Sequence, residues 1–378
     1  MTRIFVYFIA LLATSYAYNA TLDTTAEAIK HHYIVVLNPE YDLQVFENTI
    51  VGDKSGIFKE AVIKWRYTVI NGLSIKLLPH ALEKVRAMKA VKYVAEDGIA
   101  RTFAQASWGL DRVDQRNLPL DGEANFQGNG GGVNVYVIDT GIYPESKYFA
   151  GRASVAFDAI GDRDAYGIDC HGHGTHCAGT VGSDVYGVAR GAKIYGVRVL
   201  NCHGSGSFSQ VIAGIDFVAN QGVRPAVASM SIGGYPNLAF DDAVRGLINS
   251  GITAVVAAGN WDMDACYTSP SRVSETITVG ATDINDKRAS FSNTGSCVDI
   301  FAPGVDIPSA WIGGEEETRT ISGTSMATPH VTGAAAIMLG NDNSLTPTDI
   351  KNKLLYDSTK QVVEDPGRES PNRMLYIP

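Results

Sequence analysis

Short apolar runs alternate with segments of helical spacing through most of the chain. The runs are rich in β-branched residues, as is typical of strands buried on both faces, and they cover residues 133–138, 194–200, 227–232, 252–258 and 277–279. Between them, apolar residues recur with the period of an amphipathic helix, over residues 208–218, 239–250 and 326–339. The alternation predicts an α/β fold with a doubly wound, mostly parallel sheet and helices on both faces.

Residues 21–100 follow a different pattern. Strand-like runs occupy residues 33–37, 72–78 and 91–94, and a helical run begins at Pro79, a favourable position for proline. We expect a small α+β module here. A module of about 80 residues without cysteine is marginally stable by itself, so we expect it to depend on a partner surface.

The first twenty residues have the layout of a secretory signal. Arg3 precedes an almost uncharged apolar run over residues 4–13, and small and polar residues follow. The run is too short to span a bilayer comfortably, although a single N-terminal membrane anchor is the alternative. With cleavage near Ala17 or Ala20, we predict a secreted, extracellular protein that is not bound to a membrane.

Composition and charge narrow the class of protein. The chain has 378 residues, of which 45% are hydrophobic and 19% are charged, enough apolar material for a globular core. Its formal net charge is −9, and the acidic excess lies beyond residue 100. An acidic body without a basic run repels phosphate backbones, so we expect no nucleic-acid partner.

Four polar side chains stand where chemistry is expected. Asp139 follows the strand predicted over residues 133–138, and chemistry in such sheets collects at the carboxyl ends of strands. His173 lies among glycines that allow close backbone approach. Asn260 ends an apolar run and can donate a hydrogen bond. Ser325 begins an Ala/Gly-rich helix, whose dipole stabilises a developing oxyanion.

The histidine-rich segment around His173 also allows a metal site. No Glu lies between its histidines as it does in a metalloprotease helix, so this alternative is not favoured. His176 lies one helical turn after His173, and we predict that it packs within a helix. No role is assigned to His171, His203 or His330.

These motifs, in the order Asp, His, Ser with an Asn between the last two, resemble the subtilisin-like serine proteases (peptidase S8), in particular the proteinase K and aqualysin-type branch. The matching stretches are residues 135–141, 172–180, 231–234, 257–260 and 323–330, and the resemblance spans residues 108–378. It implies that Ser325 is the nucleophile, His173 the general base and Asp139 its orienting acid. A serine hydroxyl needs such a base because it is a poor nucleophile until it loses its proton. Asn260 and the Ser325 backbone N–H would form the oxyanion hole.

The same resemblance implies an endopeptidase of broad specificity. Extended polypeptide substrates would bind as an added strand between two segments, one formed by Gly204, Ser205 and Gly206 and the other by Ser231, Ile232 and Gly233. Ala257 and Gly259 would line the pocket for the residue before the cut bond. Small lining residues leave room there for medium or large apolar side chains.

Five cysteines lie beyond residue 169. In a secreted protein they should pair where geometry permits and leave one free, and the sequence alone leaves several pairings open. The resemblance to aqualysin-type enzymes implies the disulfides Cys170–Cys202 and Cys266–Cys297, with Cys177 as the free thiol.

Structural Ca²⁺ is the one cofactor that the resemblance implies, and none is implied for the chemistry. Asp299 would bind it together with the carbonyl oxygens of Ser274 and Thr276, since oxygen ligands suit this hard cation. A weaker second site would include Asp111, Asp114, Gln115 and Asp121. Glu123 stands where the family has an Asn, and a group of surface acids near a turn is the alternative.

Residues 21–100 resemble the inhibitor-type propeptide of the family, and residues 101–378 its protease domain. The resemblance therefore implies a signal peptide over residues 1–20 and a zymogen that is otherwise monomeric and is inhibited by its own propeptide. Self-cleavage is expected near Ala100 and Arg101, or after Phe103. An inactive binding relative that keeps its propeptide and a metallohydrolase that uses the histidine cluster are the two alternatives.

Overall fold

The computed structural model describes residues 18–24, 28–53, 55–68, 70–98, 107–161 and 166–378. The chain divides into two compact units, residues 1–103 and residues 104–378. Within the described ranges, no helix is long and apolar enough to cross a membrane. Most of the predicted signal segment and the expected cleavage positions lie outside the described residues.

The described residues of the first unit form a five-stranded sheet and two helices. Its elements are β1 (Thr21–Asp23), β2 (Ala28–Leu37), α1 (Leu43–Val51), β3 (Val62–Tyr67), β4 (Gly72–Lys76), α2 (Pro79–Arg86) and β5 (Val91–Gly98). The strand order is β1-β5-β2-β4-β3, and only the β1–β5 pair is parallel. Pro79 stands in the first turn of α2, where a missing N–H costs no helical hydrogen bond.

The second unit contains a nine-stranded sheet. Its helices are α3 (Trp108–Val113), α4 (His173–Gly182), α5 (Phe208–Gln221), α6 (Leu238–Asn249), α7 (Thr324–Asn341) and α8 (Pro347–Asp357). Its strands are β6 (Asn134–Asp139), β7 (Ala153–Asp158), β8 (Lys193–Arg198), β9 (Ala226–Met230), β10 (Thr253–Ala257), β11 (Ile277–Thr282), β12 (Ile300–Pro303), β13 (Ile307–Ala310), β14 (Thr318–Ile321), β15 (Thr359–Lys360) and β16 (Arg373–Met374). The strands β13 and β14 form a separate antiparallel pair.

The large sheet reverses its direction of winding at β6. Its order is β15-β16-β12-β11-β10-β9-β6-β8-β7, and every pair except β15–β16 is parallel. The chain adds β8 on one side of β6 and β9 on the other, which opens a crevice beyond the carboxyl end of β6. The predicted α/β architecture is confirmed.

Helices cover both faces of this sheet, which explains why its central strands are apolar on both sides. Helices α4 and α7 pack with one hydrophobic cluster, and α5 and α6 pack with the other. Nearly every residue from Thr324 to Leu339 in α7 is buried, as expected for a helix that is apolar all round. Ser207 and Gln210, which are spaced as in the S-x-x-Q sequence pattern of a capping box, form such a box at the start of α5.

Two disulfides link loops of the second unit. They are Cys170–Cys202 and Cys266–Cys297, which join residues 32 and 31 positions apart, and Cys177 is free and buried. These are the pairs that the resemblance implied. In the chain-entropy model, each loop closure contributes about 3–4 kcal/mol to stability.

A buried ion pair joins α3 to the loop after β11. The side chain of Arg112 has no exposed surface, and its guanidinium donates to both carboxylate oxygens of Asp286, at 2.5 and 2.9 Å. A third donor of Arg112 binds the carbonyl oxygen of Gln115 at 2.8 Å. This bidentate geometry compensates for the cost of taking both charges out of water.

We predict that Asp286→Asn destabilises the second unit by about 3–5 kcal/mol, because it leaves Arg112 buried without a counter-charge. Asp262→Asn is the matched control. Both aspartates have positive φ angles, of 63° and 50°, which Asn tolerates, and both bind an arginine. The carboxylate of Asp262 is 60% exposed, however, against 8% for Asp286. The control should therefore cost less than about 1 kcal/mol. Equal losses of thermal stability in the two variants would contradict the prediction.

Candidate active site

Asp139 ends β6 in the crevice of the large sheet and has no exposed surface. Its Oδ1 atom accepts hydrogen bonds from the Thr140 N–H and from Nδ1 of His173, both at 2.7 Å. The other oxygen, Oδ2, is buried without a hydrogen-bond partner among the described residues. Because the Asp139 carboxylate accepts a hydrogen bond from Nδ1, that nitrogen carries the proton of a neutral His173, and Nε2 is left as the basic nitrogen.

His173 is the first residue of α4, and the turn before it is tightly constrained. Gly172 has a φ of 103°, and a Cβ atom there would lie 2.3 Å from the ring of Trp311. Only glycine satisfies both conditions. The turn therefore fixes the backbone position of His173 at the start of α4.

Asp169 holds this turn together, although sequence reasoning did not identify it. Its carboxylate accepts from the N–H groups of His171, Gly172 and Thr175 and from the hydroxyl of Thr175, at 2.6–2.9 Å. It also accepts from the hydroxyl of Thr140, the residue next to Asp139, at 2.9 Å. An acidic residue just ahead of a predicted helix start is the signal that could have indicated it.

The environment of His173 raises its pKa above the ordinary value of 6.5. Burial lowers the pKa, but the negative charge of Asp139, its hydrogen bond and the charge of Asp169 together outweigh that effect. The arrangement therefore stabilises the protonated form of the His173 ring next to Asp139.

Ser325 lies in the first turn of α7, where three contacts set its position. Its hydroxyl donates to the carbonyl oxygen of Ser231 at 3.1 Å. Its own carbonyl oxygen accepts from the Ser231 hydroxyl at 2.9 Å and from the Cys177 thiol at 3.4 Å. Cys177 stands one helical turn after His173, so the packing of α4 on α7 brings His173 and Ser325 to the same region.

The side-chain amide of Asn260 has its oxygen fully engaged. Oδ1 accepts from the Thr324 N–H at 2.9 Å and from the Thr324 hydroxyl at 2.8 Å, and that hydroxyl accepts from Gly259 N–H at 3.2 Å. The amide Nδ2 is thereby left as the group that can bind a ligand. Thr324 is a second residue that sequence reasoning did not identify.

All the residues predicted to bind substrate line two adjoining cavities. A cleft of about 440 Å³ is bounded by His173, by residues 204–206 and by residues 231–233. A smaller cavity of about 110 Å³ is bounded by residues 231–233, 257–261 and 324–325. Two of the unassigned histidines, His171 and His203, also line the larger cleft.

Three further titratable side chains near the site, His176, His330 and Cys177, are buried and neutral near pH 7. Burial lowers the pKa of His176 and of His330 to about 4, so neither is a second base near pH 7. The Nε2 atom of His176 contacts the carbonyl oxygens of Ile307 and Arg319, each at 3.0 Å. Burial also raises the pKa of the Cys177 thiol well above its usual value, which makes this thiol unreactive.

One group of potential metal ligands occurs at this site. Among the described residues, Asp139, His173 and Cys177 have ligand atoms within 4.8 Å of one another. The thiol is protonated and donates to Ser325, whereas a metal needs the thiolate. Since the imidazole and the carboxylate are also bonded to each other, this group does not fit a metal centre.

The atoms predicted to bind calcium most strongly do not fit that ion either. The carbonyl oxygens of Ser274 and Thr276 and the carboxylate of Asp299 surround the ammonium group of Lys351, at 2.9, 2.6 and 2.9 Å. A calcium ion there would compete with Lys351 for the same lone pairs and would be repelled by its charge.

The second predicted calcium set has the chemistry of a hard-cation site. Asp111 Oδ2 accepts from the Gly122 N–H at 2.8 Å, and Gln115 Oε1 accepts from the Asp121 N–H at 3.3 Å. The Oδ1 atom of Asp114 is buried and has no hydrogen-bond partner in the part of the chain that the structure describes. Burial and the charges of the neighbouring acids raise the pKa of Asp114, and a bound cation would relieve both effects.

The chain matches known proteins over most of its length. Residues 130–373 match the model of the subtilase family (Peptidase_S8). An extracellular serine proteinase of Thermus sp. (strain Rt41A) is 51% identical over 312 residues, which cover 82% of this chain and 76% of that protein. Proteinase R of Parengyodontium album is 46% identical and covers 84% and 81%. A solved cold adapted subtilisin-like serine proteinase is 51% identical, with a TM-score of 0.71 over 73% of this chain and 99% of that one.

We predict that stability falls as the pH decreases from about 6.5 to about 4, and that His330→Leu weakens this dependence. Folded His330 stays neutral down to about pH 4, whereas the unfolded chain takes up the proton below about pH 6.5. Protons therefore favour unfolding in this window, and His330 accounts for up to about 3 kcal/mol of the loss. Thermal unfolding midpoints between pH 4 and pH 7 measure the slope. His203→Leu, which removes an exposed imidazole, should keep the original slope, and an unchanged slope in His330→Leu would contradict the prediction.

Proposed function

The chain belongs to the subtilase family and is a serine endopeptidase, and on that premise we propose that Ser325, His173 and Asp139 form its catalytic triad. The observation that carries this proposal is the 2.7 Å contact between His173 Nδ1 and the buried Asp139 carboxylate. It orients the ring and supplies the negative charge that a protonated imidazole needs.

In the proposed reaction, His173 Nε2 takes the proton of the Ser325 hydroxyl while the oxygen attacks the peptide carbonyl. The hydroxyl donates to Ser231 in the free protein, so it must turn towards His173 when substrate binds. Such contacts commonly tighten only in the substrate complex. The imidazolium then gives its proton to the leaving amine, and water repeats the sequence on the acyl-enzyme.

We propose that the oxyanion forms hydrogen bonds to Asn260 Nδ2 and to the backbone N–H of Ser325. The support for Asn260 is its oxygen, which Thr324 holds through two hydrogen bonds. The support for the backbone donor is its place in the first turn of α7, where N–H groups have no partner within the helix. Donors that are positioned before the reaction stabilise the transition state without reorganisation.

Substrate binding is proposed along the larger cleft, with the chain extended between residues 204–206 and residues 231–233. Pairing to main-chain groups reads no side chain, which supports broad specificity. The smaller cavity would accept the side chain before the cut bond. The residues that line this cavity are uncharged, and two of its hydroxyl groups, those of Thr268 and Ser271, form a hydrogen bond with each other at 2.5 Å. Such walls suit apolar side chains.

We also propose that the protein is secreted as a zymogen. One relative described above, from Thermus sp., is named an extracellular serine proteinase, and residues 1–20 have the layout of a signal. Residues 21–100 would be the inhibitor-type propeptide. This assignment is supported by the compact unit that residues 1–103 form, which contains no cysteine.

The proposed ligands of a structural calcium ion are Asp111, Asp114, Gln115 and Asp121. The ion would contribute to stability and not to the chemical reaction.

We predict that Asn260→Asp lowers kcat by about 10²–10³, the loss found for an oxyanion-hole donor in subtilisin. The new carboxylate can still accept from Thr324, but it offers no donor to the oxyanion. Peptide hydrolysis would be measured per active site, with sites counted by a phosphonyl serine reagent and Ser325 identified by mass spectrometry. Thr324→Ser, which keeps the hydroxyl, is the control and should retain most of the activity. Labelling of another residue, or full activity in Asn260→Asp, would overturn the assignment.

We predict that purified Ser325→Ala remains unprocessed, because the nucleophile that cuts the linker is missing. Electrophoresis and N-terminal sequencing would show the full-length secreted chain, whereas the parent enzyme would begin near Arg101 or after Phe103. Addition of a trace of active enzyme tests whether the variant is folded, since a folded zymogen should then be cut at the same position. Unaided maturation of Ser325→Ala would show that another protease or residue is responsible.

A further inference from the structure

The ammonium group of Lys351 ends among three oxygens from two separate loops. It donates to the carbonyl oxygen of Ser274 at 2.9 Å, to that of Thr276 at 2.6 Å and to the Asp299 carboxylate at 2.9 Å. An ammonium carries three N–H donors and no acceptor. Its hydrogen-bonding capacity therefore matches the three oxygens, and the single negative charge of Asp299 balances its charge.

The fold holds both sides of this contact. Thr276 stands just before β11 and Asp299 just before β12, and Asp299 also accepts from the Thr278 N–H at 2.9 Å. Lys351 lies in α8, beside the buried residue Ile350. A capping box at Thr346 begins this helix. The register of α8 is thus fixed, and Lys351 is about four-fifths buried, with 18% of its side chain exposed.

We infer that Lys351 serves as a built-in cation in place of the calcium ion that the family resemblance implies at Ser274, Thr276 and Asp299. The three oxygens require a positive charge because burial of an unpaired carboxylate is costly. Calcium would need six to eight oxygens at 2.3–2.6 Å, whereas the ammonium already occupies their common centre. This part of the protein is therefore independent of the calcium concentration outside the cell.

The inference predicts that removal of the ammonium creates a calcium site. Lys351→Ala should bind one more calcium ion than the parent enzyme, with a Kd of about 10⁻⁴–10⁻³ M, as expected for few charged ligands. In EGTA it should unfold about 100-fold faster than the parent, and 10 mM CaCl₂ should reverse most of that change. Calcium titration calorimetry and the loss of tryptophan fluorescence at raised temperature measure the two effects, with self-digestion suppressed by a phosphonyl reagent.

Lys353→Ala is the matched control. It lies on the same helix and loses an ion pair with Asp357 at 3.0 Å, but its side chain is half exposed and contacts no carbonyl oxygen of the Ser274 loop in the described structure. Its unfolding rate should stay within about threefold of the parent, and EGTA should affect it no more than the parent. An unfolding rate of Lys351→Ala equal to that of this control, or no additional calcium ion in Lys351→Ala, would overturn the inference.

A second measurement does not require Lys351→Ala to fold. Asp299→Asn in the otherwise unchanged enzyme should bind as many calcium ions as the parent, because Lys351 and not calcium occupies this site. Loss of one ion in that variant would overturn the inference. Neither readout uses peptidase activity, so the result is independent of the proposed catalytic roles.

Discussion

The buried carboxylate of Asp139 is the constraint on which the geometry of the candidate active site depends. Removing an ionised carboxylate from water costs several kcal/mol unless hydrogen bonds and opposite charge compensate. Here the compensation comes from the Thr140 N–H and from His173. Asp169 in turn holds Thr140 and the first turn of α4. The orientation of His173, the proposed general base, is thus a consequence of the hydrogen bonds that compensate one buried carboxylate at the end of β6.

The first turn of α7 provides the other half of the site. Ser231 and Cys177 bind the Ser325 carbonyl oxygen, and Asn260 binds Thr324. Because α7 is buried along nearly its whole length, it cannot shift without repacking the core on that face of the sheet. The proposed nucleophile Ser325 and the proposed oxyanion donor Asn260 are therefore positioned by rigid elements, and the segments proposed to bind substrate are loops beside them. Rigid support of this kind is what electrostatic preorganisation requires.

Away from the cleft, cationic side chains form ion pairs with buried or partly buried carboxylates that lie next to strands of the large sheet. Arg112 does so for Asp286, and Lys351 does so for Asp299. A side-chain cation cannot dissociate into the medium, whereas a metal ion is lost when its concentration falls. Among the described residues, the carboxylates of Asp111 and Asp114 accept hydrogen bonds from backbone N–H groups and from no cationic side chain. Cationic side chains thus balance two carboxylates of this domain, and calcium is the counter-charge proposed for the group at Asp111 and Asp114.

Local patterns in the sequence determined the parallel sheet, the capping box of α5 and the motifs around Asp139, His173 and Ser325, because each of these signals is carried by neighbouring residues. The family resemblance added the cysteine pairs found in the structure. Only the tertiary structure decided the partners of Asp169, Thr324 and Lys351, which lie 29, 64 and 77 positions away from groups that they bind. In the case of Lys351, two of the three partners are backbone carbonyl oxygens. Every residue carries such an oxygen, so the sequence cannot show which of them converge on a cation until the chain has folded.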